Sequence, residues 1–113
     1  MLTIRPATIE DAALLASMIL ELAEYERLKH EAGVTAESIA RDGFGPHPKF
    51  RAVIAESDGQ VAGYALFFEF YSSFQGRAGL FLDDIFVRIE RDRSFIVRAE
   101  FLDNAGIGGG IIA

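Results

Sequence analysis

Gly79-Leu80-Phe81-Leu82-Asp83-Asp84-Ile85-Phe86-Val87-Arg88 is the stretch from which the fold is read. Strict alternation would put Leu80, Leu82 and Phe86 on one face of a strand and Phe81, Ile85 and Val87 on the other. A run that is apolar on both faces predicts a central strand covered from both sides. Two adjacent carboxylates, Asp83 and Asp84, interrupt it, and in a regular strand they point to opposite faces. A carboxylate directed at a sheet face is costly unless it has a partner or opens on a wet cleft. Two readings follow: a functional cleft at the acidic pair, or a local widening of the strand with both groups solvated.

The chain around this strand is 113 residues long, which predicts a single domain, residues 1–113, with a substantial core. Half of its residues are hydrophobic, ten are Phe and none is Trp, a composition that argues against disorder. The net charge of −6 disfavours nucleic acid as a partner and favours a cationic one. Cysteine is absent, which excludes a disulfide framework and a thiol nucleophile. Neither a secretory leader nor an apolar run of membrane-spanning length is evident, so the expected setting is cytoplasmic, with no membrane partner.

From the N-terminus, Leu2 and Ile4 alternate with polar residues in a short strand ended by Pro6. Thr8 and Asp11 have the spacing of a capping box. Ala12, Leu15, Ala16, Ile19, Leu22 and Ala23 then repeat at helical spacing, predicting an amphipathic helix over 9–27. Its far end carries Glu21, Glu24, Tyr25 and Glu26, which on charge pattern alone is a solvated face. Thr35 opens a second helix to about Arg41, with Gly43 placed to stop it. Phe44-Gly45-Pro46-His47-Pro48 is a rigid loop, and His47 has no neighbour to orient it as a base. No spacing of His, Asp and Glu suggests a metal site. Residues 50–56 and 61–71 form a hairpin across Ser57-Asp58-Gly59-Gln60, and Gly63 marks a bulge or a close backbone approach. The order is therefore β-α-α-β-β-β. The fold class is α+β, with helices packed on a mixed, mainly antiparallel sheet.

Four pieces in this order resemble one family: IRPATIEDA (residues 4–12), ELAEYERL (21–28), DGFGPHPKF (42–50) and LFLDDIFV (80–87) followed by Arg88. Together they are similar to the N-terminal half of GNAT-superfamily N-acetyltransferases, in the diamine and thialysine acetyltransferase branch. The resemblance covers residues 2–88. It implies an enzyme that moves acetyl from acetyl-CoA to a primary amine of a small polyamine-like substrate. Asp83 would then hold the base-like position and Asp84 would lie alongside, binding or orienting. It further implies that Glu24 or Glu26 faces the amine. Independently of it, Tyr71 and Phe74, at the strand's end in the cluster of Phe67, Phe68, Phe70, Tyr71 and Phe74, are either core or the wall of a cleft for an aliphatic amine. The backbone of Ile85, Phe86 and Val87 would pair with the pantetheine arm.

After residue 88 the pattern departs from the family. The expected glycine loop for the pyrophosphate is missing from 88–95. A glycine run at Ala105-Gly106-Ile107-Gly108-Gly109-Gly110 resembles it, displaced, with Asp103 where a cation is expected. Gly106 and Gly108 are the cofactor candidates there, against the alternative of an ordinary glycine-rich terminus. None of Tyr25, Tyr64 and Tyr71 stands where the family's general-acid tyrosine would. These departures keep a second reading open: a degenerate, non-catalytic domain acting by self-association or ligand binding. With no fifth strand evident in the sequence, the edge of 80–87 would lie open, and a homodimer is expected.

Overall fold

The computed structural model describes residues 2–88 and 111–112. Strand β1 is Leu2–Pro6, helix α1 Ala12–Tyr25, helix α2 Ala36–Phe44, and strands β2 to β5 are Arg51–Ser57, Gln60–Ser72, Arg77–Val87 and Ile111–Ile112. Single 3-10 turns at Ile9–Asp11 and Lys29–Glu31 precede the two helices. The strands lie in the order β1-β2-β3-β4-β5; neighbours are antiparallel up to β4, and β5 runs parallel to β4. This is the α+β architecture expected from the sequence. The two-residue β5 corrects the expectation that no fifth strand is present. Residues 89–110, with the glycines Gly106 and Gly108, lie outside the described residues.

The helices differ from their sequence boundaries for identifiable reasons. Asp11 accepts the Thr8 backbone N–H at 2.8 Å, forming a 3-10 entry turn before α1 proper. At the other end Arg27 takes a left-handed conformation, φ 61°. Its N–H bonds to the Glu24 carbonyl at 3.0 Å, and the Leu28 N–H to the Ala23 carbonyl at 2.7 Å. That pair of bonds closes the helix as a Schellman motif without the usual glycine. In α2, Thr35 accepts the Ser38 N–H at 3.0 Å as expected of a cap. Gly43 does not stop this helix; it is buried in the last turn beneath the Phe50 ring, where a Cβ would lie 2.4 Å from Phe50 Cζ. Extended Gly45, followed by Pro46, ends α2 instead.

Two register shifts shape the sheet. Ala55 pairs with Gly63 but Glu56 pairs with Val61, so Ala62 is an extra residue on β3. Leu66 pairs with Asp84 but Phe67 pairs with Leu82, so Asp83 is an extra residue on β4. Each is a β-bulge, which breaks the alternation of side chains locally. The second bulge corrects the face assignment drawn from strict alternation. Leu80, Leu82, Ile85 and Val87 all share the face of Val53, Ala55, Ala65 and Phe67. Phe86 belongs to the opposite face, with Ile54, Tyr64 and Leu66, packed beneath Leu15 and Met18 of α1 and Ile39 of α2.

The hairpin joining β2 and β3 turns on Asp58 and Gly59, with φ of 52° and 79°. Positive values at both central residues make a type I′ turn, whose twist matches the strands it joins. Arg5 ties β1 to the entry of α1, gripping both oxygens of Asp11 at 2.8 and 2.9 Å while its Nε reaches Glu56 on β2 at 2.8 Å.

Candidate functional site

The bulge decides how the acidic pair is presented. Because Asp83 has no partner on β3, Asp84 falls opposite Leu66, on the face that packs against α1. Strict alternation would have set the two carboxylates on opposite faces; the bulge puts Asp84 on the α1 face, with the Asp83 charge close enough to act on both Asp84 and Tyr64. Asp83 is exposed and Asp84 is half-buried. Tyr64, on the same face of β3, is fully buried. Its ring lies against Phe86, with centroids 6.0 Å apart. Its hydroxyl donates to Asp84 Oδ2 at 3.2 Å.

The electrostatics follow from this placement. Burial is the main influence pushing the Asp84 carboxyl above its usual range, and the neighbouring Asp83 charge adds to it. The Tyr64 hydrogen bond works the other way, because it favours the charged carboxylate. Burial likewise raises Tyr64 far above an ordinary phenol, followed by the charge of Asp84. Glu26, at the end of α1, is close enough to raise both groups further.

The remaining candidates divide by position. Glu26, at the end of α1, is near enough to Asp84 and Tyr64 for its charge to act on both. Glu24 instead faces Lys29, 3.9 Å away. Glu21 is clasped by Arg88, through Nε at 3.2 Å and through a second bond from Nη2 to Oε2. The Arg88 backbone N–H donates to the Ala62 carbonyl at 2.7 Å, so the end of β4 is fixed to both α1 and the bulge of β3. Tyr71 and Phe74 lie at the other end of the β3–β4 hairpin, with exposed rings. Tyr71 pairs with Ala78, five residues along β3 from Leu66, about 17 Å at strand rise. The structure does not bring these two rings to the acidic pair.

Ile85, Phe86 and Val87 pair inward with Ala65, Tyr64 and Gly63. On the outer side of β4, β5 pairs with Gly79 and Leu80. Among the described residues no strand pairs with the outer edge of 81–87, so its backbone groups suit an extended ligand chain with amide groups of its own. A shallow groove of about 300 Å³ lies elsewhere, beside Phe44, Phe50 and Arg51, and its lining holds no carboxylate. Chemistry, not void volume, therefore places the candidate site at Asp83 and Asp84. Among the described residues no cluster of His, Asp and Glu is arranged to hold a metal ion, and no helix is long and apolar enough to cross a membrane.

Tyr64 is the site residue that sequence reasoning missed. A buried tyrosine hydroxyl needs a partner, which is a signal in principle. Finding that partner requires the β3–β4 register, and the bulge hides it.

Comparison with known proteins bears on the family and the fold. No family model matches the chain. The thialysine N-ε-acetyltransferase of Mus musculus is 39% identical over 92 residues, covering 74% of this chain and 54% of that protein. Its Sus scrofa counterpart is 37% identical over 95 residues, 77% of this chain and 55% of that protein. The chain thus spans about half the length of these curated relatives. Among solved structures, a possible acetyltransferase of Clostridium difficile 630 superposes with a TM-score of 0.73 at 13% identity, over 98% of this chain and 76% of that one. A predicted acetyltransferase of Clostridium acetobutylicum, solved with acetyl-CoA, gives 0.68 at 13%, over 100% and 80%. At such identities these two likenesses speak for the fold.

Proposed function

Since the chain belongs to the GNAT acetyltransferase superfamily, in the branch of its thialysine acetyltransferase relatives, we propose that it serves N-acetyl transfer from acetyl-CoA to a primary amine of a small, polyamine-like substrate. One observation carries the reading: a β-bulge at Asp83 gathers two carboxylates where β3, β4 and α1 meet, with Glu26 beside them. Three acidic groups in one mouth attract an ammonium.

Acetyl-CoA supplies the activated acetyl thioester, and the outer edge of Ile85, Phe86 and Val87 is the row of backbone groups suited to its pantetheine amides. The protein's own task is to manage the amine's proton. An alkylammonium resembles lysine, with a pKa of about 10.4, and is no nucleophile until it loses that proton. Asp83, exposed at the bulge, meets the incoming ammonium. Asp84, half-buried and so more basic than an ordinary carboxylate, accepts the proton; as the freed amine bonds the acetyl carbon the C–S bond breaks, and coenzyme A leaves as a thiol with a proton from solvent. The resemblance alone placed the accepting role on Asp83; burial favours Asp84 for it, and the Tyr64 bond orients its carboxylate.

The test is acetyl transfer to a panel of diamines and to thialysine, measured for the parent, Asp83→Asn and Asp84→Asn. The expected result is turnover in the parent that each substitution cuts, Asp84→Asn by about 100-fold or more. Full turnover in Asp84→Asn with loss in Asp83→Asn would return the accepting role to Asp83. Turnover unchanged in both would remove the acidic pair from the mechanism. Absence of acetyl-CoA binding and turnover in the parent would favour the second reading, a non-catalytic domain.

A further inference from the structure

We propose that Tyr64 is a positioning residue for the acidic pair: its buried hydroxyl holds Asp84 Oδ2 and leaves Oδ1 as the oxygen that meets the amine. The inference deepens the acetyl-transfer reading and rests on it for its kinetic consequence, although the Tyr64–Asp84 linkage stands on geometry alone.

Asp84 follows directly on the extra residue of a bulge, where a strand's ladder is disrupted and its local twist increased. A side chain there is aimed less firmly by its own backbone than one in regular pairing. Tyr64 supplies what the ladder does not. It belongs to regular pairing with Ile54 on one side and Phe86 on the other, it has no exposed surface, and its ring is wedged against Phe86. Its hydroxyl is thus a fixed point, 3.2 Å from Oδ2. A fixed donor at one oxygen orients the carboxylate plane and favours its charged form, the form able to accept a proton. The same burial excludes Tyr64 from giving up its own proton, so it orients the acceptor without taking part in the transfer.

The groups that face Asp84 are Tyr64 on β3, Asp83 on β4 and Glu26 at the end of α1. Two of the three are acidic and oppose ionisation of Asp84; Tyr64 favours it. Removing the hydroxyl must therefore move Asp84 toward its protonated form.

The experiment follows carboxyl-carbon resonances of Asp83 and Asp84 by NMR against pH, in the parent chain and in Tyr64→Phe, which keeps the ring and removes the donor. The Asp84 midpoint is expected to move to higher pH in the variant. The acid limb of kcat/KM for amine acetylation should shift in the same direction, and kcat/KM near neutrality should fall about tenfold, as loss of one hydrogen bond to a charged group implies. A tyrosine that only filled the core would change the unfolding midpoint and leave the Asp84 titration where it was; that outcome overturns the proposal. Should Tyr64→Phe fail to fold, the parent decides it: the Tyr64 Cζ resonance must move with the same midpoint as the Asp84 carboxyl, and an independent or flat response overturns it. If no variant and no parent sample acetylates amines, the functional reading fails, while the titration still decides the linkage.

Discussion

Gly63 and Phe86 meet more closely than any side chain would permit: a Cβ on Gly63 would lie 2.1 Å from the Phe86 carbonyl oxygen and 3.1 Å from Val87 Cα. The obstacle is backbone, which cannot swing aside like a flexible side chain. Gly63 is the pairing partner of Val87, three residues before Leu66, which pairs with Asp84. Gly63→Ala should therefore push β4 away from β3 at the end that carries the acidic pair. We expect a loss of about 3 kcal/mol, the upper end of overpacking costs, read from urea unfolding midpoints. An alanine tolerated within 0.5 kcal/mol, the scale of a neutral surface change, would show that β4 is not seated as described.

Arg5 and Asp11 make one contribution to the acid sensitivity of the fold. Two hydrogen bonds from the guanidinium hold the Asp11 carboxyl down to about 2, against an ordinary 3.8. A carboxylate depressed in the folded state contributes stability above its unfolded value, and that contribution is lost as pH falls from 3.8 through about 2. Arg5 is more than a third exposed, so solvent screening reduces the gain to on the order of 1–2 kcal/mol. Asp11→Asn should lower the unfolding midpoint at pH 6 by that amount and flatten its pH dependence between 4 and 2. Identical slopes in parent and variant would assign the acid sensitivity elsewhere.

How much of this was legible beforehand depended on whether a residue's role was local. The Thr35 cap, the Asp58-Gly59 turn and the apolar face of α1 are encoded within a few neighbours, and the structure reproduces them. Gly63 was read as either a bulge or a close approach, and it takes part in both. What could not be read was register. Strict alternation placed Leu82 with Phe86, and one extra residue at Asp83 reversed every assignment beyond it. The end of α1 was misplaced for a related reason, since Arg27 adopts a left-handed turn that its residue type does not announce. Both errors concern backbone conformations that side-chain identity leaves open.

The outer edge of β4 serves the two functional readings in incompatible ways. β5 occupies it at Gly79 and Leu80, while 81–87 has no strand partner among the described residues. A second copy adding a strand and a bound acetyl-CoA would draw on the same N–H and C=O groups. If the chain forms homodimers through this edge, acetyl-CoA should dissociate them, and added salt should strengthen them by screening the carboxylates that two copies bring together. Light scattering after size exclusion, at tens of micromolar chain with and without acetyl-CoA, checks this. A dimer indifferent to both would have to use another surface.

Asp84 should show activity and stability moving in opposite directions on substitution. Burial and the charge of Asp83 raise its carboxyl above the usual range, so the folded state holds this proton more tightly than the unfolded chain does. The sign is the reverse of the Asp11 case: as pH rises from the unfolded value through the raised folded one, ionisation of Asp84 costs stability, and the cost is complete above the folded value. Asp84→Asn removes that cost while keeping an acceptor for the Tyr64 hydroxyl. The variant's unfolding midpoint, relative to the parent, should therefore climb between pH 3 and pH 7, while amine acetylation falls by about 100-fold. Thermal unfolding at five pH values, paired with initial rates on one diamine, measures both. A variant whose stability deficit grew with pH would mean that ionised Asp84 stabilises the fold, and that it is held by a structural ion pair instead of being poised to take a proton.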